Sequence, residues 1–167
     1  VLDWSHWEEP SWGSHEFDKS RFPDPKQMVD SVHAMGARFM ISVWPKFYCT
    51  TEHYRELDAL GAIYPRVVKD SIRDWIGPGY IGSFYDAYSY GARRLFWEQL
   101  RDHLYPLGID AWWMDSTDPD HHSYKDSDLD ELTTMGSYRS VRNIYPLMAV
   151  GGVYDHQRAV DSTKRVF

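Results

Sequence analysis

Three short segments combine tryptophan with a charged side chain: Asp3-Trp4, Trp44-Pro45-Lys46 and Trp112-Trp113-Met114-Asp115. Carboxylates can hold sugar hydroxyls or attack an anomeric carbon, and indole rings can cover the apolar C–H face of a pyranose. A single aspartate in such a position could equally cap a loop or a helix. Asp3 and Asp115 occurring together beside tryptophans favour a sugar-binding site.

Each of these segments lies at the end of an apolar run that predicts a strand. Residues 37–44 (ARFMISVW) form a nearly unbroken apolar and β-branched run that Pro45 halts, and residues 109–114 (IDAWWM) resemble it. Helices are predicted at about residues 25–35, at 51–61 and, with a clear amphipathic stripe, at 90–105. Residues 62–89 are rich in Gly, Pro and aromatics and are interpreted as irregular.

The alternation of strands and helices predicts an α/β fold that is part of a (β/α)8 TIM barrel. The predicted strands are residues 1–4, 37–44 and 109–114 and a strand beginning at Arg165, about half of those in a closed barrel. The carboxyl ends of barrel strands meet on one face, so the three charged segments should meet there. A doubly wound sheet is the structural alternative, but no Gly-rich phosphate loop follows any strand.

The composition excludes several classes of partner. The chain has 43% hydrophobic and 26% charged residues, the profile of a folded protein, and 16% aromatic residues, which tilts towards carbohydrate. The formal net charge is -7 and no basic stripe is present, so nucleic acid is not expected as a partner. No window approaches the roughly 20 apolar residues of a membrane span.

Neither a metal nor a cofactor is expected. Asp118, Asp120, His121 and His122 could be taken for metal ligands, but adjacent histidines on a loop rarely converge on one ion. No HExxH or similar spacing supports them. The sequence also lacks the GxSxG elbow of an acyl hydrolase.

Both ends of the sequence are apolar. It opens on Val1-Leu2 and closes on Arg165-Val166-Phe167, whereas natural domain ends usually lie in polar linkers. We therefore expect residues 1–167 to be a partial catalytic domain of a longer multidomain protein, with the rest of the barrel as its partner.

Five segments carry a family resemblance, and in chain order they are LDWSHW, RFPDP, MISVWPKFY, FYDAYS and GIDAWWMDSTDPD. In order and spacing they resemble glycoside hydrolase family 31, above all its bacterial α-xylosidase branch. The resemblance implies a retaining hydrolase that releases non-reducing-end α-linked xylose from xyloglucan-type oligosaccharides.

The resemblance also assigns roles to residues. Asp115 matches the nucleophile, and Asp3 matches the acid that holds hydroxyls of the cleaved sugar. The substrate-binding residues around them are Trp44, Lys46, Trp113 and Met114, with Trp44 and Trp113 as the aromatic wall. A retaining mechanism needs a second, protonated carboxyl about 5 to 5.5 Å from the nucleophile. In the family this acid/base lies on a later strand, beyond the residues present here.

One position departs from the family pattern. Related α-xylosidases place a Glu before the Pro-Asp pair after the nucleophile, whereas this chain has Asp118-Pro119-Asp120. Because the side chain is shorter, an α-glucosidase or transglucosylase of the same family remains an alternative. A non-catalytic carbohydrate-binding domain is the alternative from another class.

Overall fold

The computed structural model describes residues 1–74, 79–117 and 126–167. Its helices are α1 (Pro25–Ala34), α2 (Glu52–Ala59), α3 (Pro65–Lys69), α4 (Tyr90–His103), α5 (Tyr138–Val141) and α6 (Tyr145–Val160). Its strands are β1 (Met40–Val43), β2 (Lys46–Tyr48), β3 (Gly82–Phe84), β4 (Ala111–Met114), β5 (Leu132–Thr133) and β6 (Gly136–Ser137). Short 3-10 turns lie at Glu9–Ser11, Tyr105–Leu107, Asp126–Asp130 and Arg142–Ile144.

The helix starts follow the capping signals in the sequence. The Asp24 side chain accepts the Gln27 N–H at the start of α1, where Pro25 occupies the first turn. Thr51 caps α2 and Ser89 caps α4 in the same way. A side-chain oxygen at this position satisfies one of the free amides of the first turn, which fixes where the helix begins.

A parallel sheet forms the centre of the fold. Strand β1 pairs with β4 in the register Met40↔Ala111 to Val43↔Met114. Leu2 forms a parallel bridge with Ile41 on the other side of β1, and the Trp112 amide donates to the Phe167 carbonyl at 2.8 Å beyond β4. The predicted α/β alternation is therefore confirmed. The predicted strands at residues 1–4 and from Arg165 are reduced to the bridge at Leu2 and the hydrogen bond at Phe167.

The core lies between this sheet and the helices. Phe96 and Leu100 of α4, Val153 of α6 and Ile41 of β1 are all buried. The Trp112 indole N–H donates to the Gln157 side chain of α6 at 2.7 Å, which gives the one polar atom of that ring a buried partner. No helix in the described parts of the chain is long and apolar enough to cross a membrane.

The structure corrects the interpretation of residues 62–89 as irregular. Helix α3 and strand β3 lie within this range. Strand β3 pairs antiparallel with β2, with Lys46 opposite Phe84 and Tyr48 opposite Gly82. Their three residues each are too few to display a hydrophobic period, so only the pairing reveals them. The predicted strands 37–44 and 109–114 are also shorter than expected, because regular pairing covers only β1 and β4.

Candidate functional site

Asp3, Trp44 and Asp115 lie at the same edge of the sheet. Leu2, β1 and β4 are neighbours, and each of the three residues follows directly on one of them. The Asp115 amide donates to the Val43 carbonyl at 3.1 Å, so the chain is still paired with β1 where the carboxylate begins. Trp44 lies between the two aspartates in strand order. The predicted convergence of the three segments is therefore present.

Both aspartates precede a sharp turn of the chain. Asp115 is half-buried and its Oδ1 accepts the Ser116 amide at 2.8 Å, while exposed Asp3 accepts the Trp4 amide at 2.7 Å. Ser116 has a φ of 50° and Ser5 a φ of 67°, in the left-handed region that non-glycine residues rarely adopt. Each carboxylate is thus oriented by a backbone donor and by a locally strained turn.

Trp113 and Met114 lie on opposite sides of the end of β4. Side chains alternate along a strand, so Trp113 shares a side with Asp115, whereas Met114 shares one with the core residue Trp112. Trp113 is 48% exposed. Met114 is half-buried and packs against the main hydrophobic cluster.

The aromatic wall includes a residue that the sequence analysis did not single out. Trp12 is buried, and its ring lies edge-on to Trp44 at 4.7 Å between centroids and stacks on Trp4 at 5.7 Å. Trp12 stands in the loop after Asp3, in which Trp7 is a further tryptophan. The density of tryptophan in this loop was the available signal, but spacing alone does not say which ring reaches the wall.

The loop carrying Trp12 is fastened to β2. The Tyr48 amide donates to the Trp12 carbonyl at 2.9 Å. Gly13 has a φ of +88°, and a Cβ there would lie 2.7 Å from the Lys46 carbonyl oxygen. Only glycine fits such a conformation at such a close backbone approach.

Lys46 lies behind the wall. Its ammonium forms an ion pair with Asp74 and lies 5.5 Å from the ring centroid of Trp12. The two charged side chains are 8% and 1% exposed. Lys46 is therefore near the wall, as predicted, but its charge is directed to Asp74, a residue that carried no sequence signal.

A groove of about 420 Å³ opens beside the wall and is lined largely by Trp4, Trp7, Trp12, Tyr48 and Tyr80. Polar side chains lie at the rim of this groove. Arg21 donates to the Asp18 carboxylate and to the Trp7 carbonyl, both at 2.7 Å. Hydrogen bonds from Ser20 and Arg21 lower the pKa of Asp18 to about 2.

The sequence contains four candidate metal ligands. Asp118, Asp120, His121 and His122 lie outside the described residues, as does the departure from the family pattern at Asp118-Pro119-Asp120. Within residues 1–74, 79–117 and 126–167, no group of three or more His, Cys, Asp or Glu side chains could hold a metal ion.

The decisive comparison is with protein families. The model of the glycosyl hydrolases family 31 TIM-barrel domain matches residues 1–167. The chain belongs to glycosyl hydrolase family 31. The family resemblance carried by the five sequence segments is thereby confirmed, and so is the assignment of the sheet and its helices to part of a TIM barrel.

Relatives of this family 31 chain include named α-xylosidases. An α-xylosidase of Saccharolobus solfataricus is 35% identical over 99% of the chain and 21% of its own length. The crystal structure of a family 31 α-xylosidase from Xanthomonas citri is 50% identical with a TM-score of 0.94, over 100% of this chain and 18% of that one. A soil-metagenome α-xylosidase complexed with xylose is 31% identical with a TM-score of 0.82, over 95% and 23%. The family 31 chain thus spans about a fifth of the length of these relatives.

Proposed function

We propose that this chain is the nucleophile-bearing segment of a retaining α-xylosidase that acts on xyloglucan-type oligosaccharides. The observation that carries the proposal is the meeting of Asp3 and Asp115 at one sheet edge, on either side of Trp44. The α-xylosidase names of the similar proteins support the choice of xylose.

In the proposed reaction Asp115 is ionised and attacks the anomeric carbon of the terminal xylose. A bond forms between a carboxylate oxygen of Asp115 and that carbon, while the glycosidic C–O bond breaks and the leaving oxygen takes a proton from a general acid. Water then hydrolyses the ester, and the same acid, now a base, removes a proton from the water. The Ser116 amide holds one oxygen of Asp115, which directs the carboxylate without neutralising it.

Asp3 and the aromatic side chains are proposed to hold the sugar. The Asp3 carboxylate uses one acceptor for the Trp4 amide and retains others for sugar hydroxyls. Trp44 and Trp113 cover the apolar face of the ring, Met114 packs beneath them, and Lys46 lies behind the wall. Trp113 lies on the same side of β4 as Asp115, which supports this assignment.

We further propose that residues 1–167 function within a longer enzyme. The chain corresponds to 21% of one relative's length and 18% of another's. The general acid/base would come from a strand outside these residues. Since general acid catalysis supplies about 10²- to 10⁴-fold in rate, the chain by itself would lack that contribution.

Covalent labelling tests the nucleophile. A mechanism-based fluoroxyloside, incubated with the full-length enzyme and followed by peptide mass spectrometry, should label Asp115. The Asp115→Asn variant should not be labelled and should lose roughly 10³-fold or more in kcat. Labelling of any other acid contradicts the assignment.

Two further measurements separate the alternatives. An α-xylosidase should cleave aryl α-xylosides faster than aryl α-glucosides, whereas the reverse order indicates an α-glucosidase or transglucosylase. Asp115→Asn should retain much of its affinity for the oligosaccharide while turnover disappears. If wild type shows binding without any turnover, the protein is a carbohydrate-binding domain instead.

A further inference from the structure

Lys46 and Asp74 form a buried ion pair that the proposed reaction does not use. Their side chains are 8% and 1% exposed. Removing two charges from water costs several kcal/mol per ion, so such a pair is weak evidence for a gain in stability. The pair lies beneath the aromatic wall, where it can instead fix the orientation of the neighbouring rings.

The surroundings of the pair lead directly to the wall. The Lys46 ammonium lies 5.5 Å from the ring centroid of Trp12 and 5.9 Å from that of Phe84, within the range of cation–π attraction. The Trp12 ring in turn contacts Trp44 and Trp4. The buried ammonium of Lys46 is therefore separated by one ring, that of Trp12, from Trp4 and from the wall residue Trp44.

Tyr48 adds a second contact to the same carboxylate. Burial, and then the charge of Asp74 and a hydrogen bond with it, raise the pKa of Tyr48, so that its hydroxyl stays neutral and donates to Asp74. The Tyr48 ring lies 5.6 Å from that of Trp12. Asp74 thus holds two side chains, Lys46 and Tyr48, that both contact Trp12.

We propose that Lys46 and Asp74 are positioning residues that fix Trp12, and through it Trp4 and Trp44, in the orientation that receives the sugar. Lys46 then acts without touching the substrate. This inference rests on the proposed function, because it assigns these residues a part in sugar binding. It replaces a direct Lys46–sugar contact, which a lysine side chain only 8% exposed is poorly placed to make.

The test uses the full-length enzyme with an aryl α-xyloside and compares Lys46→Met, Asp74→Asn and the double variant K46M/D74L. Each single variant leaves a buried group without its partner and should raise KM roughly three- to tenfold, with a smaller change in kcat. Near-UV circular dichroism should change as well, because the tryptophans reorient. The double variant replaces both charges by apolar groups but leaves the Tyr48 hydroxyl without Asp74, so it should recover part of the KM and of the spectrum.

A direct sugar contact gives a different result. KM would rise in Lys46→Met without a change in the spectrum, and the double variant would not recover it, which overturns the inference. Unchanged KM in all variants overturns it too. If Asp74→Asn fails to fold, Tyr48→Phe removes only a hydrogen bond to Asp74 and should raise KM in the same direction by a smaller factor; an unchanged KM there counts against the inference.

Failure of the proposed function is recognised separately. It shows as absence of α-xyloside turnover and of Asp115 labelling in wild type. The near-UV spectra then test the positioning by themselves. Spectra of Lys46→Met and Asp74→Asn identical to wild type overturn it, and altered spectra that are partly restored in K46M/D74L support it.

Discussion

At the scale of single residues, the site depends on backbone conformations that few side chains accept. Ser116 turns the chain directly after Asp115 with a φ of 50°, and Ser5 turns it two residues after Asp3 with a φ of 67°. Gly13, which follows Trp12, allows the loop to pack closely against the backbone of β2. The chemistry of a carboxylate is general, but its direction here is set by its neighbours in the chain.

Replacing Gly13 by alanine should therefore disturb the wall. A Cβ at Gly13 would lie 2.6 Å from Phe47 Cδ1 and 2.7 Å from the Lys46 carbonyl oxygen, so either the loop or β2 must shift. Gly36→Ala is the matched control, since Gly36 also has a positive φ of +75° but nothing within 4 Å. The control should lower the free energy of unfolding by about 1–2 kcal/mol, because alanine disfavours the left-handed conformation.

We expect Gly13→Ala to lower the free energy of unfolding by roughly 1–3 kcal/mol more than the control does, and to raise KM for an aryl α-xyloside. Denaturant unfolding and steady-state kinetics measure the two effects. Equal losses of stability in both variants, with an unchanged KM, would show that the close approach at Gly13 does not hold the wall.

At the scale of elements, a cluster of histidines joins the loop after Asp3 to α2 and α4. His15 of the loop lies 5.0 Å from His53 of α2, ring centroid to centroid, and His53 Nε2 lies 3.2 Å from His103 Nε2 of α4. Within the described residues neither ring nitrogen of His15 has a hydrogen-bond partner. Such a cluster favours neutral imidazoles, because a proton would be buried without compensation.

The histidine cluster predicts that the protein becomes less stable as the pH falls. Burial, and then the neighbouring His53, His6 and His103, hold the pKa of His15 well below 6.5, and burial lowers the pKa of His6 to about 4. In the unfolded chain both titrate near 6.5, so below that pH the unfolded state binds more protons than the folded state. The contribution of these histidines is fully present above pH 6.5 and decreases as pH falls from 6.5 towards 4.

The variant His15→Phe tests this link. Phenylalanine suits the contacts of His15 with Phe47 and Phe96 and does not titrate. In urea unfolding at a series of pH values between 4 and 7.5, the slope of the unfolding free energy against pH should decrease by up to about 1.4 kcal/mol per pH unit relative to wild type. Parallel curves for variant and wild type would contradict the role of His15.

At the scale of the whole molecule, the described surface carries large exposed apolar groups. Leu147, Val150 and Tyr154 of α6 follow each other at helical spacing and are 70%, 43% and 50% exposed. The two lateral edges of the sheet, at Leu2 and at Phe167, have backbone groups that pair with no further strand among the described residues. Bare edges and apolar stripes are typical association surfaces.

We therefore predict that residues 1–167, expressed alone, associate and show no glycosidase turnover. Size-exclusion chromatography, cooperative thermal melting and an aryl α-xyloside assay measure these properties. A monomer that melts cooperatively and cleaves the xyloside at a rate near that of a full-length relative would contradict both the partial-domain hypothesis and the external acid/base.

The sequence by itself determined the strand ends and the chemistry placed there. Apolar runs stopped by Pro45 or by Asp115, with helix caps between them, predict parallel strands whose carboxyl ends meet. This local information suffices because burial and capping act over a few residues. The roles of Asp3, Asp115, Trp44, Trp113 and Met114 follow from the family resemblance and stay predictions.

Only the tertiary structure decided which side chains support the wall. Trp12 reaches Trp44 because the loop folds back onto β2, and Lys46 meets Asp74 across 28 positions of the sequence. No local pattern encodes such contacts, since a lysine before an aromatic pair looks the same whether its charge faces water or a buried partner. The pairing of β2 with β3 encloses that charge, and the enclosure changes Lys46 from an expected sugar contact into a residue that we propose positions the wall.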